Sequence, residues 1–492
     1  MSAAPLDWGT ERELTSIETM MWRADADPVM RSTMTVVELL DVEPEWSRLV
    51  AAHEWACRMV PRFRDRVTEP LGPFGTPVWS RAPHLDLHYH LRRVRLGGDG
   101  GLPELFTLAE QLAMTPFDRA RPPWEAVLVE GLPGGKAAYL LKLHHALTDG
   151  LGMTHLLAQL HSRRREHTPD KPQPAVAEQA DSNLVDELVR QLQRTVSAVP
   201  PALRGGAGLL ASSLRSPWGQ LRDGLRYVDS ARRVLSPPAT PGSPLLAPRS
   251  ASWRFVALDV PLADLKAAAS ACRGSLNDAY LAALLGGFRL YHEEMGAPLP
   301  SDAMVPLTVP VSVRRPGDAA GGNHIAPARL RAPVGLANPH TRMIMLRSSM
   351  IAARNEPALR SFELVTPLLA RLPPSWLIRV AGSTTAGNDL QASNVPGVVE
   401  DMYLAGARIE RIYPFAPLPG CAAMVTMYSY AGVCNIGANL DAAAITEPAV
   451  FAQCLERGFA EVFALHRRGG AVVSTEARPQ IEPGIGPTSS VP

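Results

Sequence analysis

The stretch LLKLHHALTDGLG, residues 140–152, carries the side chains best suited to chemistry. His144 and His145 close an apolar run, and Asp149 and Gly150 follow after three residues. The run reads as a strand, in which neighbours point to opposite faces. His145 then shares a face with Leu143, Leu141 and Tyr139, and His144 shares the other with Lys142. Imidazoles so divided do not chelate one metal; one faces a cavity while the other packs behind. An imidazole changes charge near neutral pH, so the presented ring can move a proton. Gly150 and Gly152 let the backbone turn or approach closely. Asp149, in that turn, can bind backbone donors or a buried arginine, with Arg314, Arg62 and Arg64 as candidates. A lone histidine at a strand end is more often a hydrogen-bonded core residue, and periodicity alone favours that reading.

The elements around this stretch are mixed α/β. STMTVVELLDV reads as a strand and PEWSRLVAAHEWACRMV as the amphipathic helix after it. PWEAVLVEGLPGGKAAYLLKLHH reads as two strands around a Gly-Pro turn. GLPGGKA is no phosphate loop: Glu130 stands six before Lys136 and Ala137 follows it. Residues 1–165 form a first subdomain. Composition shifts in 166–250, a Pro/Arg-rich linker with amphipathic helices. From Ser182 to Leu235 arginines outnumber carboxylates, which suits either an anionic lipid surface or a solvated helix face, the latter being favoured. Residues 251–475 read as a second α/β subdomain. SWRFVALDVPLADLKAAASACRG is strand then helix, SLNDAYLAALLGGFRLYHEEMG a helix with Leu281, Leu284, Leu285 and Phe288 on one face, and MVPLTVPVSVR and GCAAMVTMYSYAGVCNIGANL strands. The Pro/Gly/Ser-rich tail 476–492 reads as disordered.

With 492 residues the chain is too long for one ordinary core. Its net charge of +1 gives no reason to expect nucleic acid. Five scattered cysteines, never in C-x-x-C spacing, argue against a disulfide framework and a zinc site. No signal peptide and no long apolar run is visible, so a reducing cytoplasm is the expected compartment.

The whole string H-H-x-x-x-D-G, placed after an apolar strand and before a helix, resembles the signature of the CoA-dependent acyltransferase superfamily. That superfamily includes chloramphenicol acetyltransferase and nonribosomal-peptide condensation domains. DLHYHLRRVRL, TPFDRARPPWEAVLVEGL, SLNDAYLAAL, VPVSVR with GGNHIAPARL, and ASNVPGVVEDMYLAGARIERIYPFAPL narrow it. Together, from about Leu14 to about Leu465, they resemble the bacterial wax ester synthase/diacylglycerol acyltransferase family. The family usually has Pro-Leu-Trp where this chain has Pro122-Pro123-Trp124, which bears on chain-length preference rather than fold.

The resemblance implies two chloramphenicol-acetyltransferase-like α/β subdomains with the active site in a tunnel between them. It implies O-acyl transfer from acyl-CoA to diacylglycerol or a long-chain alcohol, with His145 as general base, His144 supporting and Asp149 orienting. No metal, cofactor or covalent intermediate is required; acyl-CoA is a co-substrate. Asn277, beside Asp278, is the matched oxyanion donor, though both types also cap helices. Trp124 is a weaker substrate contact, since tryptophans more often pack. Gly387-Asn388 and SNVPG, with Asn394 and Gly397, shape a loop near the tunnel. A peripheral membrane or lipid-inclusion contact and a monomer or homodimer complete the expectation. The alternatives are a condensation-type enzyme using a carrier-bound donor and a non-catalytic lipid-binding protein. A serine hydrolase lacks its G-x-S-x-G.

Overall fold

The computed structural model describes residues 5–70, 75–98, 100–168, 171, 173–174, 240–314, 321–354, 366, 369–385 and 387–473. The basic 182–235 stretch and the 476–492 tail lie outside them. In chain order the first elements are α1 (Ser16–Ala24), β1 (Thr33–Leu40), α2 (Trp46–Met59), β2 (Asp65–Thr68), β3 (Val78–Arg81), α3 (Leu87–His90), β4 (Leu91–Arg95), α4 (Leu102–Met114), β5 (Trp124–Leu132), β6 (Lys136–His144) and α5 (Gly150–Leu160). Then follow β7 (Trp253–Pro261), α6 (Leu262–Ala271), α7 (Leu276–Glu294), β8 (Val305–Ser312), β9 (Ile325–Ala332), α8 (Pro339–Arg354) and α9 (Pro374–Thr385). The last are β10 (Leu390–Val395), β11 (Tyr403–Leu404), β12 (Ala407–Phe415), β13 (Ala423–Tyr430), β14 (Val433–Asp441) and α10 (Pro448–Val473).

The architecture is α/β, built on two six-stranded sheets in the orders β11-β12-β1-β6-β5-β4 and β7-β14-β13-β10-β8-β9. The β5–β6 hairpin closes where the sequence puts Gly134 and Gly135, both at positive φ, a conformation glycine adopts without a Cβ clash. One face of the first sheet packs on α2 and α5 through Leu49, Trp55, Leu141, Leu143 and Leu156. The other packs on α4 and reaches the second sheet through Phe106, Phe255 and Phe415; the last two rings stack at 4.0 Å.

Two features differ from the sequence reading. Helix α7 was expected to bury one face, yet it is buried on almost every side from Asp278 to His292. The reason is close approach by α10: a Cβ on Gly458 would sit 2.3 Å from the Ala283 carbonyl oxygen. The second half, read as 251–475, also does not keep its strands to itself. β12 leaves it and pairs antiparallel with β1 of the first sheet, Val37 opposite Tyr413. Position 437 makes this crossing possible, since a Cβ on Gly437 would lie 2.1 Å from the Pro414 carbonyl oxygen. Gly437→Ala is therefore expected to cost about 1–3 kcal/mol by overpacking. Gly382→Ala, with nothing within 4 Å of its new methyl, should leave stability level or raised. Thermal unfolding of the two variants measures the difference.

Candidate active site

A cavity of about 860 Å³ lies between the two sheets. The first sheet's side contributes Met34, Val36, His145 and Ile412, and the second contributes Thr308, Pro310, Gln391 and Thr426. Helix α1 lines it with Ile17, Met20 and Met21, and α9 with Leu377 and Val380.

His145 follows the last residue of β6 and keeps one strand-like tie, its N–H donating to the Ser32 carbonyl at 2.8 Å. Its ring faces the cavity. His144, a residue earlier, faces away and is fully buried, edge-on to Trp22 at 5.0 Å between ring centres. Its Nδ1 accepts from the Ala146 N–H at 3.0 Å, so the proton sits on Nε2. Burial, then the neighbouring His145 and Arg119, pull its pKa down to about 3. His144 is a neutral packing residue at any ordinary pH.

The turn after His145 is held by Asp149, which caps α5. One carboxylate oxygen accepts from the Gly152 N–H at 2.8 Å. The other accepts from Arg314 Nη2 at 3.0 Å and from the His324 N–H at 3.1 Å. Of the three arginines open from sequence, Arg314 is thus the partner; Arg62 lies by Asp65 instead, 3.8 Å away. Gly150 is required by contact rather than by φ: a Cβ there would come within 2.9 Å of Val395, in the SNVPG segment. The same logic fixes Gly397, whose Cβ would lie 1.9 Å from the Ser429 carbonyl oxygen. Asn394 lines the cavity, and Gly387, at φ +90°, precedes Asn388, which also lines it.

Asn323 was not singled out from sequence. It is buried, and its amide lies 2.6 Å from His145 Nδ1. With the amide nitrogen toward Nδ1, Oδ1 is buried without a hydrogen-bond partner. The same amide nitrogen lies 3.3 Å from the His145 carbonyl oxygen and 3.3 Å from the Met21 sulfur; a half-turn that let Oδ1 accept an Nδ1–H would give up both contacts. The His145 backbone carbonyl also draws on the ring. That carbonyl favours the proton on Nδ1, the tautomer that leaves the Nε2 lone pair free. Glu18, from the Thr15–Glu18 capping box of α1, accepts the Asn323 N–H at 2.9 Å. Burial lowers the His145 pKa, against weaker opposing pulls from Asp149 and its own carbonyl. The available clues were the T-x-x-E box at Thr15 and an asparagine directly after Gly321-Gly322.

Three expected substrate contacts lie elsewhere. Asp278 closes a capping box with Ser275, accepting its N–H at 2.8 Å. Neither it nor Asn277 lines the cavity, because the α7 start faces α8 at Met343. Trp124 is buried against His90, its indole N–H donating to the Phe63 carbonyl at 2.8 Å. The Pro122-Pro123 departure acts at one remove: the Pro123 carbonyl accepts the His144 N–H at 3.0 Å. Among the described residues no three His, Cys, Asp or Glu side chains cluster to hold a metal, and no helix is long and apolar enough to cross a membrane.

Residues 11–280 match the wax ester synthase/diacylglycerol acyltransferase catalytic domain, and residues 321–462 match that family's C-terminal domain. The chain belongs to this family of acyltransferases. It is 41% identical over 456 residues to a Mycobacterium tuberculosis protein named as a candidate diacylglycerol O-acyltransferase, covering 92% of each chain. In fold it is similar to the wax ester synthase/diacylglycerol acyltransferase of Marinobacter aquaeolei, with TM-score 0.61 and 21% identity over 92% of this chain and 100% of that one. It is similar also to the first condensation domain of the CDA synthetase, with TM-score 0.56 and 17% identity over 93% and 97%.

The Asp149–Arg314 pair should be a stability element. Asp149→Ala leaves a part-buried guanidinium and two N–H groups short of an acceptor, and is expected to cost about 3–5 kcal/mol. Asp149→Ala with Arg314→Ala should cost less than the two single changes summed, as read by a double-mutant cycle in chemical denaturation.

Proposed function

We propose that this acyltransferase moves a long-chain acyl group from acyl-CoA to the hydroxyl of a hydrophobic alcohol, diacylglycerol or a fatty alcohol, with His145 as general base. The observation that carries the reading is the His145 ring in a large, mostly apolar cavity, with Asn323 against its Nδ1. An unassisted alcohol is a poor nucleophile toward a thioester. His145 Nε2 accepts the hydroxyl proton as the oxygen attacks the thioester carbonyl. The tetrahedral adduct then collapses, the C–S bond breaks, and the imidazolium returns that proton to the CoA thiolate. The ester and free CoA are the products, with no acyl-enzyme. Such base assistance contributes about 10²–10⁴ in rate.

The lowered His145 pKa suits this role, because the ring must be neutral to begin. Asn323 acts as a positioning residue that keeps the base lone pair on the substrate side. Six methionines line the cavity, Met20, Met21, Met30, Met34, Met153 and Met424. Flexible thioethers fit chains of varied shape, in keeping with a lipid acceptor. Such substrates reside in membranes and lipid inclusions, so the protein works peripherally at such a surface on the cytoplasmic side.

The test follows acyl transfer from radiolabelled acyl-CoA to a panel of alcohols. His145→Ala should lose about 10² or more of kcat; activity within about threefold of the parent removes His145 from the role. The parent's kcat/KM should rise along an acid limb lying below pH 6.5, the ordinary histidine value, and stay level above it. Asn323→Asp adds a negative charge that favours the imidazolium, so its acid limb should move to higher pH. Asn323→Leu should lower kcat by about tenfold or more while leaving KM nearly level.

A further inference from the structure

The β8–β9 pair presents one face to the outer helices and the other to the cavity. Leu307, Val309, Ala328 and Leu330 belong to the core, and Leu307, Ala328 and Leu330 also border the cavity. The alternate residues Ser312, Pro310 and Thr308 on β8, and Pro327, Arg329 and Arg331 on β9, line the cavity. Arg329 stands opposite Thr308, which neighbours Gln391 of β10. All three line the cavity, so a polar row crosses three strands of an otherwise greasy wall. Arg331 is the next residue on that face and is exposed to solvent, whereas Arg329 is half-buried. Thr308 is 7% exposed and Thr426 4%, and the hydroxyl of each is buried without a hydrogen-bond partner among the described residues. Buried polar atoms without partners are uncommon in proteins and call for an explanation.

The strand also sets a distance. Asn323 touches His145, and Arg329 comes six residues later, roughly 20 Å along an extended chain. A pantetheine arm has 13 bonds from sulfur to its first phosphorus, or roughly 16 Å by the extended rise of a peptide chain. It carries two amides and a hydroxyl, which need donors and acceptors along the way, and it ends in phosphates.

We propose that the cavity face of β8, β9 and β10 is the lane for the CoA moiety: Thr308, Gln391 and Thr426 serve the pantetheine amides, and Arg329 and Arg331 bind the phosphates at the outer end. The assignment rests on the acyl-CoA reading above and adds the residues that recognise the donor. Neither an acyl chain, a diacylglycerol nor a fatty alcohol offers phosphates to that arginine pair. A carrier-bound donor shares the phosphopantetheine arm but brings one phosphodiester, where CoA brings a pyrophosphate and a 3′-phosphate. Two arginines, the outer one exposed, offset part of the CoA charge and exceed what one phosphodiester needs.

The experiment compares oleoyl-CoA with oleoyl-pantetheine, which lacks every phosphate, in the full chain and in Arg331→Glu and Arg329→Gln. In each variant the KM for oleoyl-CoA should rise at least tenfold while that for oleoyl-pantetheine moves less than twofold. Thr308→Val should weaken both donors together. Unchanged oleoyl-CoA kinetics in both arginine variants, or equal losses with both donors, overturns the lane. So does a parent enzyme that uses an oleoyl carrier protein better than oleoyl-CoA. Calorimetric titration with free CoA separates this from the activity. If the parent turns over no donor yet binds CoA at least tenfold more tightly than Arg331→Glu, the lane stands and the acyl-transfer reading falls. Equal CoA affinity in parent and variant overturns the lane whatever the turnover.

Discussion

One buried carboxylate holds the two halves in register at the reaction centre. Asp149 comes from the turn after β6, yet two of its partners, Arg314 and the His324 N–H, belong to the segments flanking β8 and β9. The same turn donates its backbone N–H to the Gly322 carbonyl at 3.1 Å. That docking brings Asn323 against His145. A charge this buried tolerates little displacement from its partners, so the loop at 321–324 and the turn at 145–150 are placed as one unit. Base, positioning amide and cavity wall all follow from that junction.

Neighbouring histidines in this unit have opposite fates for a geometric reason. The end of a strand sends one ring into the protein's interior and the next into the space between the sheets. Desolvation acts on both, but His144 meets aromatic rings and a buried edge, while His145 meets a carboxylate, a carbonyl and an amide. Burial holds the first ring neutral although the Asp25 carboxylate stands 3.7 Å from its Nε2, whereas the second ring meets its amide partner at the cavity.

Much of this was legible in the sequence because it rests on local rules. The strand alternation of residues 139–145 separates the two imidazoles, and the glycine at 150 marks a turn or a close approach, whereas Gly397, read as a loop residue, is fixed by contact. The hairpin at Gly134-Gly135 shows in its turn residues. What stayed hidden depends on contacts across long separations. Asp149 had three arginines to choose from, and only the docking of the second half on the first selects Arg314. Asn323 reads as an ordinary loop residue until folding places it 178 positions away from its own stretch, against His145. Asn277 and Asp278 show the converse: Asp278 fits both a cap and a substrate role and is claimed by the cap, and the helix that carries both begins away from the cavity.

The crossing of β12 into the first sheet bears on how the chain is made. During translation β1 emerges early and gains β6 on one side within about a hundred residues, but its other edge waits for residues 407–415. Until nearly the whole polypeptide has left the ribosome, that strand presents unpaired backbone groups and a half-covered apolar sheet, the kind of edge that recruits other chains. The edge is closed only when the last third of the chain arrives, so the first half cannot complete its own sheet without it.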